Sequence, residues 1–409
     1  MRIERIQCVP GLTGFYYDDL PAIQQRAKVE GFFYKGSPIT EGYQAIRQPG
    51  ESISVMLFLD EGSVAYGDCS AVTYSGIGGR DPLFVAKTYL PIIEQHVFPC
   101  LIGRELRHFR SLAEEIDQLE IRDRPLHTAI RFGVSQALLG GVALAKRKTM
   151  MEVICEEWNL PAIKKRIPIG IQTGDQRYKN AEKAIVKRVD VLPHGNINKM
   201  KAFGSEGAAL LEYAQWLYQR IDALGDPNYH PILHFDVYGM PDMAFDKDLL
   251  KIAAYLKELG DACSPFKVQI ECPLLRDNRT EQIEAMCTLR ELLREQDIGV
   301  ELIVDEWCNT LMDVREFINA GAADLIQIKT PDLGGINNAI EAVLHCKRKG
   351  VGAYLGGSCN ETVKSAQVTV HIALATQADQ ILAKPGMGVD EGLMIVSNEI
   401  SRTLARIVN

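Results

Sequence analysis

Asp324-Leu-Ile-Gln-Ile-Lys-Thr-Pro-Asp-Leu-Gly-Gly335 reads as a buried strand that ends on an ammonium group. Leu325 to Ile328 are apolar or β-prone, Lys329 follows, and Thr-Pro-Asp breaks the run. Side chains alternate along a strand, so Gln327 points to the same side as Lys329. A lysine at such a place also arises by simple snorkelling to solvent. In an α/β barrel, however, the C-terminal ends of the strands carry the chemistry. What separates the two readings is whether neighbouring strands end in the same way.

They do. From Pro168 onward, short apolar runs alternate with helical stretches, the rhythm of βα units. Strands are expected at Pro168–Gln172, Arg188–Leu192, Ile232–Asp236, Lys267–Glu271, Val300–Asp305, Asp324–Lys329, Gly352–Leu355 and Gln380–Lys384. Helical patterns lie between them at Glu206–Leu224, Asp246–Leu259, Arg279–Glu295, Asp313–Ala320, Ile336–Lys349 and Thr362–Thr376. Eight strands fit a closed TIM-type (β/α)8 barrel, about 250 residues long in typical cases. The segment from about Gly386 is expected to leave the barrel as a loop and helix and to pack back on the first domain.

Upstream the order differs. Residues 2–9 and Ser52–Leu59 read as strands, the latter returning through Asp60-Glu-Gly62 into Val64–Tyr66 as a hairpin. Helical patterns follow at Pro82–Gln95, Arg104–Leu119 and Thr128–Lys146. Strands first and helices after argue for an α+β unit, giving an N-terminal capping domain at residues 1–160 and a barrel at 161–409. The cluster Gly76-Ile-Gly-Gly79 lacks the spacing of a dinucleotide fingerprint and reads as a mobile loop.

Composition narrows the partners. The 409 residues are 46% hydrophobic and 24% charged with a net charge of −8, the profile of a soluble globular chain with no basic patch for nucleic acid. Ten cysteines occur without a Cys-x-x-Cys pair, and the first residues carry no apolar signal core, so a reducing cytoplasm is expected. No apolar run of about 18 residues is evident, so no membrane span is expected. The expected partner is a small molecule.

Three strands end in acids: His234-Phe-Asp236, Ile270-Glu271 and Val304-Asp305, spaced 35 and 34 residues apart, one βα unit each. Neighbouring strand tips would then bring three carboxylates together, which repel unless a cation lies between them. Any one of them alone reads as a helix cap or a surface acid. As an oxygen-only set they favour a hard divalent ion, Mg²⁺, with positions open to substrate oxygen. Lys329 follows Asp305 by one strand and His194 precedes Asp236 by one, so two bases flank the metal. Such a site suits removal of a proton next to a carboxylate, with Lys329 made neutral by burial and the nearby ion. His194 alone reads as a structural histidine in a Pro-His-Gly turn, and His234 as a packed, hydrogen-bonded core histidine that is not a metal ligand.

Several stretches carry a more specific resemblance. His234-Phe-Asp-Val-Tyr-Gly239, Asp305-Glu-Trp-Cys-Asn-Thr310, Gln327-Ile-Lys-Thr-Pro-Asp-Leu-Gly-Gly335, Gly356-Gly-Ser-Cys-Asn-Glu-Thr362 and Ala383-Lys-Pro-Gly-Met-Gly-Val-Asp-Glu-Gly392 resemble the methylaspartate ammonia-lyases of the enolase superfamily. Gly67-Asp-Cys and Gly78-Gly-Arg-Asp-Pro-Leu-Phe84 extend the resemblance into the first domain. It implies an enolase-like barrel with a capping domain, usually a homodimer. It further implies reversible loss of ammonia from the amino-diacid 3-methylaspartate to give mesaconate through an enolate-type intermediate, with Mg²⁺ and usually K⁺.

By the same resemblance Asp236, Glu271 and Asp305 hold Mg²⁺, and Lys329 takes the C3 proton of the (2S,3S) substrate. His194 bonds the metal-bound carboxylate and serves as base on the opposite face for the (2S,3R) isomer. Gln327 supports that carboxylate, Gln172, Ser358 and Cys359 hold the other one and the C2 end, and Leu382 helps line the pocket. Two departures stand out: Thr73 where the family often has Gln, and Ser358 where it commonly has Thr. Ser358 keeps the hydroxyl, whereas Thr73 is shorter than Gln and puts a contact to the amino group in question. A Schiff-base aldolase also needs a strand-tip lysine but leaves the acids without a role. A racemase, cycloisomerase or dehydratase shares the proton-abstraction step and differs in the fate of its product.

Overall fold

The computed structural model describes residues 1–25 and 27–407. Its longer elements are labelled here in chain order. Strands β1 (Ile3–Asp18), β2 (Arg47–Leu59) and β3 (Val64–Cys69) form an antiparallel sheet in that order. The sheet is one-sided because its sequence alternates: Ile53, Val55, Leu57 and Leu59 of β2 are buried while the residues between them are part-exposed. β1 runs nine residues past the expected strand, pairing with β2 as far as Asp18 opposite Arg47.

Helices α1 (Phe109–Asp117), α2 (Thr128–Lys146) and α3 (Met150–Glu157) complete the N-terminal unit. α2 lies directly on β3. A Cβ on Gly67 would come within 2.2 Å of the Gly133 carbonyl oxygen, and one on Gly133 within 2.3 Å of the Cys69 nitrogen. Helix and strand therefore touch backbone to backbone, which only glycine allows at both positions. α2 corrects one expectation: its 19 residues, with mean hydropathy 1.3, are long and apolar enough to cross a membrane. With 78% of that stretch buried, it is the core helix of this unit.

The second unit is a closed barrel of eight parallel strands in sequential order: β4 (Ile169–Gly170), β5 (Val191–His194), β6 (Ile232–Asp236), β7 (Val268–Glu271), β8 (Val300–Val304), β9 (Leu325–Gln327), β10 (Gly352–Leu355) and β11 (Gln380–Leu382), which pairs back to β4. Helices α4 (Arg177–Val186), α5 (Ala208–Leu224), α6 (Leu249–Cys263), α7 (Arg279–Glu295), α8 (Leu311–Ala320), α9 (Ile336–Lys349), α10 (Val363–Thr376) and α11 (Glu391–Arg406) follow the strands in turn. Strands covered on both faces read as continuous apolar runs, which made them visible in sequence. Thr149, Thr310 and Thr362 start α3, α8 and α10 with reciprocal capping boxes.

One expectation needs correction. The second barrel strand is Val191–His194, not Arg188–Leu192, because α4 and its closing turn occupy the chain up to Val189. His194 is thus the tip of β5 itself. The C-terminal helix α11 packs chiefly on α10 and completes the outer ring, with Glu399 bonded to His371 at 3.2 Å, while Glu399 and Arg406 share a hollow with Tyr66 and Met150 of the first unit. The loop before it also reaches the N-terminal unit, where a Cβ on Gly14 would lie 2.6 Å from Pro385 Cβ.

Candidate active site

The strand register sets the geometry of the site. Asp236 is the register partner of Glu271 across β6 and β7, Phe235 is that of His194, and Asp305 follows the last residue of β8. Gln327 ends β9, and Lys329 lies two residues beyond it. His194, Asp236, Glu271, Asp305, Gln327 and Lys329 are all buried. At four of these tips the chain turns through left-handed backbone on a residue other than glycine: His194 (φ +58°), Tyr238 (+47°), Cys272 (+51°) and Trp307 (+65°). Such conformations are disfavoured and cluster where a site dictates them.

The side chains interlock. Lys329 Nζ donates to Asp305 Oδ2 at 2.7 Å. Gln327 Nε2 donates to Glu271 Oε1 at 2.5 Å, and His234 Nε2 meets Glu271 Oε2 at 2.7 Å. His194 stacks on His234, with its Nε2 3.4 Å from Glu271 Oε2 and its Nδ1 3.9 Å from Asp236 Oδ2. His234 is the packed, hydrogen-bonded core histidine that was expected, and its partner is Glu271. One atom from each of His194, His234 and Glu271 falls within 4.8 Å of the others. His234 is already hydrogen-bonded to Glu271, and the trio's two imidazoles suit a softer ion than Mg²⁺.

Negative charge dominates. Burial, then Glu271, Glu306 and Asp305, raise the Asp236 carboxyl well above its ordinary range. Burial and Glu306 push Asp305 up to about 7, against the opposing pull of Lys329 and Arg80. Burial favours neutral Lys329, but Asp305, Glu306 and Asp332 outweigh it and hold the ammonium's pKa above its usual value. The expected neutral lysine is thus not what the protein groups alone produce: the uncompensated acids keep protons on both acid and base. Glu271 alone is held well below the carboxylate range, since His194 and His234 overcome its burial.

A small cavity of about 40 Å³ sits above these groups, walled by Thr73, Tyr74, Arg80, Gln172, Asp236, Tyr238, Asp305, Gln327, Lys329, Ser358, Cys359 and Met387 among others. Both units build it. Thr73 N donates to Ser358 Oγ at 3.0 Å, Asn360 Nδ2 to the Ala71 carbonyl at 2.9 Å, and Gly14 N to the Glu361 carbonyl at 2.7 Å. The Thr73 hydroxyl is also 3.0 Å from Ser358 Oγ, so the shorter residue is engaged with the loop opposite. Cys359 Sγ bonds Gln172 Oε1, and burial pushes its pKa up to about 12, which rules it out as a thiolate nucleophile. Leu382 packs inside the barrel with Ile303, Leu325 and Tyr354.

Sequence reasoning missed Arg80, Glu306, Asp332, Tyr74 and Tyr238. Arg80 is the most consequential, because the glycine-rich loop expected to be mobile is pinned by Asn309 Nδ2 on the Gly78 carbonyl and buries this guanidinium among the acids. A charged residue directly after a glycine cluster, Gly78-Gly-Arg80-Asp81, was the available signal.

Two family models match, the methylaspartate ammonia-lyase N-terminus over residues 1–159 and its C-terminus over residues 161–409. The chain is 55% identical over 407 residues to methylaspartate ammonia-lyase 2 of Carboxydothermus hydrogenoformans, covering 99% of this chain and 98% of that one. It superposes on the Mg complex of β-methylaspartase from Clostridium tetanomorphum with a TM-score of 0.93, at 51% identity over 99% of this chain and 98% of that one. For Citrobacter amalonaticus methylaspartate ammonia lyase containing (2S,3S)-3-methylaspartic acid the TM-score is 0.96, at 45% identity over 99% of each chain. Full-length identity of this order, on a barrel whose strand tips gather these acids and bases, places the chain in the methylaspartate ammonia-lyase family.

Proposed function

We propose that this protein catalyses the reversible elimination of ammonia from (2S,3S)-3-methylaspartate to give mesaconate, with Mg²⁺ held by Asp236, Glu271 and Asp305. The observation that carries the reading is the crowd of buried acids facing Lys329 with donor atoms still unspent. Asp236 Oδ1 and Gln327 Oε1 are both buried without a hydrogen-bond partner. Such oxygens cost free energy unless something binds them, and an all-oxygen set fits a hard divalent cation. When bound, the ion would supply the positive charge these acids lack and polarise a substrate carboxylate, making the neighbouring C–H more acidic.

Lys329 takes the proton from C3, the C2–N bond breaks, ammonia leaves C2, and a C2=C3 double bond remains. Its Nζ lines the cavity, so it reaches substrate without a change of layer. His194 approaches the acids from β5, with β6 to β8 between it and Lys329, and serves as base from the other face for the (2S,3R) isomer. Gln327 steadies the carboxylate next to C3. Gln172, Ser358 and Cys359 hold the second carboxylate and the C2 end, with Thr73 fixing the Ser358 hydroxyl. Leu382, packed against Tyr354 inside the barrel, helps line the pocket.

The test is to incubate purified protein with (2S,3S)-3-methylaspartate and measure ammonia and the unsaturated diacid. Release that EDTA abolishes and Mg²⁺ restores is expected; release indifferent to EDTA rejects the metal role, and no release rejects the reading. A K⁺ requirement, a homodimer and residence in the cytoplasm belong to the same proposal, checked by cation exchange, light scattering and cell fractionation.

A further inference from the structure

We infer that Arg80 is a positioning residue for this elimination, carried by the N-terminal unit and gripping Asp305 from the side opposite Lys329. The inference rests on the function proposed above. Arg80 Nε donates to Asp332 Oδ2 at 2.7 Å, while its Nη2 stands 3.6 Å from Asp305 Oδ1 and 3.9 Å from Glu306 Oε1. Lys329 holds the other oxygen of Asp305, Oδ2. Asp332 is tied to Lys329 in turn, its N–H donating to the Lys329 carbonyl at 3.0 Å. One guanidinium thus fixes the base through its backbone and the carboxylate through its side chain.

Three features mark the arrangement as built. The side chain of Arg80 is 3% exposed, although the residue lies in a loop. Its delivery needs Gly76, Gly78 and Gly79 at φ +80°, +60° and +81°, conformations that other residues rarely adopt. The buried Nη2 has no hydrogen-bond partner, and Arg80 lines the catalytic cavity. Arg80 also lines an outer chamber of about 780 Å³ in the N-terminal unit and is the one lining residue the two spaces share. A lysine lacks the planar fork needed to meet Asp332 and Asp305 together.

The experiment compares wild type, Arg80→Met, Arg80→Lys and Asp332→Asn by ammonia release, with folding followed by circular dichroism and thermal unfolding. Methionine keeps the apolar stem and removes the charge. The expected result is a fall in kcat of about 100-fold, the scale of a misplacement near 1 Å, with little change in KM. Lysine restores only part of this, and the primary isotope effect with C3-deuterated substrate rises because proton removal becomes slower. Asp332→Asn moves the same quantities in the same direction and stands in should Arg80→Met not fold. Active wild type with kcat in the variants within twofold and an unchanged isotope effect overturns the inference alone. Inactive wild type overturns the functional reading and this inference with it.

Discussion

Replacing Lys384 by Met isolates the energetics of a buried ion pair beneath the site. Lys384 and Glu361 are both fully buried, with Nζ 2.9 Å from Glu361 Oε1, 2.9 Å from the Gly356 carbonyl and 3.0 Å from Thr330 Oγ1. Burial pulls the lysine's pKa below its usual value, and Glu361 opposes that pull. Methionine fills a similar volume but strands the carboxylate, whose second oxygen already lacks a partner. Breaking one side of such a pair costs about 3–5 kcal/mol, whereas removing both charges together costs much less. With a denaturant slope of about 3 kcal/mol per molar urea or steeper, the unfolding midpoint of Lys384→Met falls by roughly 1 M. The double variant Lys384→Met with Glu361→Gln recovers most of that loss. Because Glu361 Oε1 also accepts from Ser358 N at 2.9 Å, turnover falls further than stability alone explains. A single variant within 1 kcal/mol of wild type, or a double variant costing the sum of its parts, refutes the reasoning.

Further outcomes follow from the site. Lys329→Ala lowers turnover of the (2S,3S) isomer by about 10²–10⁴ or more while Mg²⁺ binding survives, and His194→Ala chiefly harms the (2S,3R) isomer; equal losses on both isomers from either change reject the two-face assignment. Asp236→Asn weakens Mg²⁺ by more than the roughly 10–100-fold that losing an outer-shell partner costs, measured by titration calorimetry; unchanged affinity removes Asp236 from the ligand set. His127 and His371, both outside the cavity, have their pKa values held below 6.5 by burial. Their stabilising effect is complete above about pH 6.5 and is lost as pH falls toward the folded values, because the unfolded chain binds the protons first. Urea midpoints should therefore drop between pH 7 and 5.5, and the drop should shrink in the paired His→Gln variant; a flat profile counts against this.

How much of this was legible beforehand depended on what the chain writes locally. The barrel showed because each strand is a short apolar run punctuated by turn residues, and the acids showed because Asp236, Glu271 and Asp305 repeat at the length of one βα unit. Arg80 did not show: it meets Asp305 across 225 residues, and only the docking of two units makes it part of the site. The neutral lysine was expected of burial together with a nearby ion, and the protein groups alone favour the ammonium, because spacing identifies which charges are close but not which one prevails. His194 appeared as a turn residue because Pro193 reads as a strand breaker, yet in β5 it stands in register with Phe235.

The four left-handed residues that follow the strand tips have a consequence for how this protein tolerates change. Each non-glycine residue held there is a small debt against folding, on the order of 1 kcal/mol. Screening variants for heat tolerance would drift toward glycine at Tyr238, Cys272 and Trp307, and every such gain would slacken the acid next to it. In this chain, robustness and turnover are set against each other at the same few peptide units.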